Sequence, residues 1–129
     1  MSLSPGIDVL VIEDDADIRD VIVLVLAETG YRVATDANGL AGLDYLRCRP
    51  LPRLILLDLA MPVMDGVTFL VAKQSVSIWA PVPVVLMSAS HERRVEAAFA
   101  TVEVFLAKPF GTDRLLTTLA GMIGEPQAA

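Results

Sequence analysis

Short apolar runs alternate with amphipathic stretches along the whole chain. The runs at 7–12, 31–35, 53–58, 82–87 and 103–107 predict strands, and the stretches near 16–29, 38–47, 66–75, 91–99 and 112–123 predict helices. Residues 54–57 and 84–87 are apolar at successive positions, which is the pattern of a strand buried on both faces. The helical stretches carry their own punctuation. Gly30 can end the first in a left-handed cap, and Asn38 can open the second, which carries Leu43 and Leu46. Val95, Ala98 and Phe99 mark one face of the 91–99 helix. Leu115, Leu116, Leu119, Met122 and Ile123 form a 3.6-residue stripe on the last. Five strand–helix repeats in strict alternation predict a parallel sheet with helices on both faces. Crossovers in such sheets are right-handed, so every strand-to-helix loop opens on the edge where the strands end.

The residues that close the apolar runs are chemically unlike the runs themselves. Glu13 and Asp14 follow Val9–Ile12, Asp58 follows Leu54–Leu57, Ser88 follows Val84–Met87, and Lys108 follows Val104–Ala107. The predicted topology puts all of them on one edge. Three carboxylates in one crevice repel one another and raise their own pKa values unless a cation neutralises them. Mg²⁺ suits the task, because it takes about six oxygens, commonly one or two carboxylates with waters and a phosphate. Asp14 and Asp58 are the expected direct ligands, Glu13 a ligand through water, and the backbone carbonyl of Ala60 a further donor. An aspartate so placed is a competent nucleophile for phosphoryl transfer. Lys108 would balance the added charge, and the Ser88 hydroxyl would donate a hydrogen bond to a phosphoryl oxygen. Asp15 reads simply as an acid favouring the start of the first helix.

Composition narrows the alternatives. The 129 residues suit one domain, read here as 7–123 between an N-terminal tail at 1–6 and a C-terminal tail at 124–129. The longest apolar stretch, Val21–Ala27, is seven residues. A bilayer span needs roughly 20, so no membrane association is expected. Residues 1–6 lack the basic and apolar regions of a signal peptide, and the single Cys48 fits a reducing compartment, so a cytoplasmic location is expected. A net charge of −6 argues against direct nucleic-acid binding, and Arg93 and Arg94 read as a solvated helix face. No Gly-x-Gly-x-x-Gly or phosphate-loop pattern follows a strand, which excludes the usual dinucleotide and nucleoside-triphosphate sites.

Four segments together resemble the receiver domains of two-component response regulators, the chemotaxis-regulator-like superfamily. They are Val11-Ile-Glu-Asp-Asp15, Leu56-Leu-Asp-Leu-Ala-Met-Pro62 with Met64-Asp-Gly66, Pro83-Val-Val-Leu-Met-Ser-Ala89, and Phe105-Leu-Ala-Lys-Pro-Phe110. The resemblance implies a flavodoxin-like fold with strand order 2-1-3-4-5 and a phosphorylation-controlled switch rather than a turnover enzyme. It implies Asp58 as phospho-acceptor from a histidine kinase or histidine phosphotransfer protein, and Glu13 and Asp14 as the acid pair around Mg²⁺. It also implies Lys108 in a cis bond to Pro109, Ser88 as the switch hydroxyl, and Phe105 as the switch aromatic. On phosphorylation Ser88 would move toward the phosphoryl group and Phe105 inward. The face built from the 91–99 helix, the fifth strand and the 112–123 helix would then change its preference for an output partner or a second copy.

Three departures from the family pattern stand out. The segment from Ser88 to Lys108 is about two residues short, with Thr101-Val-Glu103 in place of the usual Gly-Ala, so the 91–99 helix or its exit should be tight. The first helix is unusually apolar: Ile18, Val21, Ile22, Val25 and Leu26 can share one arc while Val23 and Leu24 face outward. Family members dock kinase or phosphotransfer helices there, which marks Ile18 and Val21 as candidate partner contacts. Residue 60, two after the acceptor, is Ala, which offers no polar group to guide water and predicts slow loss of the phosphoryl group. Two other classes remain in view. A receiver-like scaffold would bind partners without phosphorylation, and a haloacid-dehalogenase-type phosphatase would need a second Asp at position 60.

Overall fold

A computed structural model describes residues 6–59, 61, 63–88 and 104–126. Its elements, in chain order, are β1 (Val9–Ile12), α1 (Ala16–Thr29), β2 (Val33–Asp36), α2 (Gly39–Cys48), β3 (Leu54–Asp58), α3 (Gly66–Gln74), β4 (Val84–Ser88), β5 (Val104–Ala107) and α4 (Thr112–Ile123). The five strands form one parallel sheet in the order β2-β1-β3-β4-β5. Fold class and strand order are those expected. The helix anticipated at 91–99, the short passage from Ser88 to strand five and the carbonyl of Ala60 lie outside the described residues.

Each strand of the sheet's middle is buried along its whole length, which is why β1, β3 and β4 read as unbroken apolar runs. Successive side chains point to opposite faces, so the runs feed two separate cores. Leu10, Ile12, Ile55, Leu57, Val84 and Leu86 pack with Leu43, Leu46, Phe69 and Leu70 of α2 and α3. Val9, Val11, Leu54, Leu56, Val85 and Met87 pack with Ile22, Leu26, Leu115 and Leu119 of α1 and α4. The edge strand β2 is only half-buried, and its sequence is correspondingly less apolar.

Strand boundaries differ from expectation at their starts. Strand two begins at Val33 rather than 31, because the Arg32 N–H donates to the Asp8 carboxylate instead of joining the ladder. Tyr31 is nonetheless buried, in the α1–α4 core. Strand four begins after Pro83, which has no N–H to give, and runs through Ser88. On α1, Ile22 and Leu26 are buried and Ile18, Val21 and Leu24 exposed, whereas Val23 is half-buried rather than outward-facing.

Candidate functional site

The sheet's C-terminal edge gathers the polar residues that close the strands. Asp58 is the last residue of β3 and pairs in register with Met87 of β4. Glu13 follows β1 directly, and both carboxylates are almost completely buried. Lys108, just past β5, reaches between them: its Nζ lies 2.8 Å from Glu13 Oε1 and 3.1 Å from Asp58 Oδ1. The backbone holds this lysine in place, since the Lys108 N–H donates to the Ser88 carbonyl at 2.6 Å. The Lys108–Pro109 bond is cis, as the resemblance implied.

Local sequence explains how the loops present these groups. Asp15 caps α1, its Oδ1 accepting from the N–H groups of Asp17 and Ile18 at 2.9 and 3.1 Å. Asp65 caps α3 in the same way through Thr68 N–H at 2.9 Å. Between β3 and α3 the chain folds back on itself, and Gly66 N–H donates to Leu59 O at 2.8 Å. A Cβ at position 66 would sit 2.7 Å from Asp58 O and 2.9 Å from Leu59 Cα, so only glycine lets α3 start this close to the acid.

The electrostatics are those of an acid cluster short of positive charge. Burial, followed by the charge of Glu13, pushes the Asp58 carboxyl up to about 7 against the opposing pull of Lys108. Burial would lower Lys108, but its hydrogen bond to Glu13 and the charges of Asp58 and Glu13 outweigh that and hold the ammonium above its ordinary value. One carboxylate oxygen from each of Glu13, Asp14 and Asp58 falls within 4.8 Å of the others. Two buried acids and one exposed acid that converge this closely, one of them already pushed toward protonation, fit a hard divalent cation.

Of the other expected residues, Ser88 is buried at the end of β4, one strand over from Asp58. Phe105 is half-buried against the α2–α3 core. Ile18 and Val21 line a groove of about 360 Å³ with Asp17, Ile22, Lys108, Pro109 and Phe110, adjoining the acid cluster. Two residues escaped the sequence reading. Arg19 of α1 donates from Nη1 to the Glu13 carbonyl at 2.8 Å. The available signal was a cation near the positive end of a helix, where the dipole disfavours it. Asp36, closing β2, has one buried carboxylate oxygen without a hydrogen-bond partner among the described residues, and burial raises its pKa to about 6.

The family model for the response regulator receiver domain matches residues 9–120. The chain belongs to that family. Among curated receiver-containing relatives, it is 33% identical to the alkaline phosphatase synthesis transcriptional regulatory protein SphR of Synechococcus elongatus, over 96% of this chain and 51% of that protein. It thus spans about half the length of the curated relatives it matches. Among solved receivers, it resembles that of the sensor histidine kinase PA1611 from Pseudomonas aeruginosa, crystallised with a magnesium ion in its active-site cleft. The TM-score is 0.82 and identity 28%, covering 94% of this chain and all of that one. The chemotaxis protein CheY4 of Vibrio cholerae gives a TM-score of 0.80 at 28% identity, covering 92% of this chain and 100% of that chain.

Proposed function

We propose that this receiver domain, residues 7–123, is a phosphorylation-controlled switch of a cytoplasmic two-component phosphorelay. Asp58 accepts a phosphoryl group, with Mg²⁺, from the phosphohistidine of a histidine kinase or histidine phosphotransfer protein. The observation that carries this reading is Lys108 lying between the buried carboxylates of Glu13 and Asp58 with Asp14 alongside. Asp14, Asp58 and the Ala60 carbonyl would hold the cation, with Glu13 through water, and it would supply positive charge to the phosphoryl oxygens. An Asp58 oxygen attacks phosphorus, the phosphorus–nitrogen bond breaks, and its electron pair stays on the donor imidazole. Lys108 is already within reach of Asp58 and offsets the charge that the acyl phosphate adds.

Ser88 then donates its hydroxyl hydrogen bond to a phosphoryl oxygen and Phe105 turns inward. A charge-assisted bond of this kind contributes about 1.5–3 kcal/mol, enough to tilt a two-state equilibrium. The groove beside Ile18 and Val21 supports docking of the phosphodonor's helix, because it is apolar and opens next to the acceptor. The response passes to an output partner or a second copy through β5, α4 and the 91–99 segment. Ala60 favours slow hydrolysis. No helix among the described residues is long and apolar enough to cross a membrane.

Mass measurement after incubation with Mg²⁺ and acetyl phosphate tests the reading. One added phosphoryl group is expected in the wild type, and none in Asp58→Ala or in the presence of EDTA. No gain in the wild type overturns it and leaves the phosphorylation-independent scaffold.

A further inference from the structure

Every polar group of Glu13 is engaged. Its N–H donates to Asp36 O at 3.1 Å, its Oε1 accepts from Lys108 Nζ at 2.8 Å, and its Oε2 accepts from Asp15 N–H at 3.2 Å. The carbonyl is taken by Arg19, whose Nη1 reaches back six residues from α1 to donate at 2.8 Å. Asp15, Asp17 and Asp20 all lie within four residues of Arg19. Among the described residues, none of them pairs with its guanidinium. A cation surrounded by acids that bonds a neutral carbonyl instead is held there by geometry.

That carbonyl shares one rigid plane with the amide of the next residue. Fixing the Glu13 oxygen therefore fixes the plane from which Asp14 departs. Asp14 needs such help: it is exposed, and no hydrogen bond among the described residues holds its carboxylate, yet that carboxylate converges on Glu13 and Asp58. We propose that Arg19 is a positioning residue which aims Asp14 at the cation by clamping the Glu13–Asp14 peptide. The proposal rests on the metal-assisted acceptor reading above.

The sign of one measurement separates this role from plain electrostatics. Arg19→Ala removes a positive charge near a cation site, and charge alone would then make Mg²⁺ bind more tightly. Loss of positioning weakens it, by about tenfold for a residue acting behind the ligands. Titration calorimetry of Mg²⁺ on wild type, Arg19→Ala and Arg19→Lys reads this directly, with Arg19→Lys expected to recover part of the loss because it keeps a donor. In the metal-free protein, hydrogen exchange at the Asp15 amide should quicken in Arg19→Ala while the amides of the sheet stay protected. The acetyl phosphate concentration for half-maximal rate at saturating Mg²⁺ should not move.

Unchanged or tighter Mg²⁺ binding in Arg19→Ala overturns the proposal, as does a raised acetyl phosphate requirement with Mg²⁺ affinity intact, which would make Arg19 a donor-binding group. If Arg19→Ala does not fold, Arg19→Met, which keeps the stem but has no donor, decides: weaker Mg²⁺ binding and faster Asp15 exchange support the positioning role, and unchanged or tighter binding overturns it. A wild type that neither binds Mg²⁺ nor gains a phosphoryl group removes the acceptor reading and this proposal together. Normal wild-type phosphorylation beside unaltered Arg19 variants removes the proposal alone.

Discussion

Asp58 is held in its folded environment with a carboxyl at about 7, against an ordinary value of 3.8. The folded state therefore binds this proton more tightly than the unfolded chain, so metal-free stability falls as pH rises from about 4 to about 7 and then levels. Asp36, raised to about 6, adds to the same slope over the lower part of that window. Asp58→Asn should flatten the profile and leave the metal-free protein more stable than wild type at pH 8. Urea melts at pH 5 and pH 8 check this, and an unchanged pH slope would refute it. Val63 presents a different strain, a β-branched residue at φ 70 that is 77% exposed. Little packing offsets that conformation, so Val63→Gly should stabilise by about 1 kcal/mol after the entropy that glycine adds to the unfolded chain. A destabilised variant in the same melts would contradict this account.

At the scale of elements, the candidate site depends on how closely α3 starts behind β3. Gly66→Ala places a Cβ against the Asp58 carbonyl and the Leu59 backbone, neither of which can swing aside as a side-chain tip would. The expected cost is about 1–3 kcal/mol, with slower labelling by acetyl phosphate because Asp58, the proposed acceptor, is displaced. Equal labelling rates in the two proteins would separate the loop from the chemistry. The starts of the first two helices were legible in sequence because the groups that cap them are local: Asp15 and Asn38 accept hydrogen bonds from amides within three residues. The apolar arc of α1 was legible for the same reason, although the half-burial of Val23 was not, since it depends on what packs beside the helix.

Across the whole molecule, the sheet collects at one edge groups that lie as far apart in sequence as Glu13 and Lys108, separated by 95 residues. A cation bound there would link the cluster to global stability. At ten times its dissociation constant Mg²⁺ should contribute about 1.4 kcal/mol. The gain in Tm should be larger at pH 8 than at pH 5, because at the lower pH the cation must displace the proton on Asp58. Thermal melts with and without Mg²⁺ at the two pH values test this. A larger shift at pH 5 would place the cation elsewhere.

The order of the described elements, the parallel sheet and the polar residues that gather at its C-terminal edge were readable from the chain. Strand burial imposes unbroken apolar runs, and a parallel topology sends every run's closing residue to the same edge. The tertiary structure alone decided the rest. The bond from Arg19 to a backbone carbonyl leaves no mark in hydropathy, and the burial of Lys73, whose Nζ donates to Ala80 O at 2.8 Å, runs against it. The raised carboxyls of Asp58 and Asp36 come first from burial under other segments, and the close approach at Gly66 from the fold-back between β3 and α3. Periodicity reports which face of an element is apolar. Desolvation, charge pairing and steric contact depend on which other element arrives at that face, and only the assembled chain determines that.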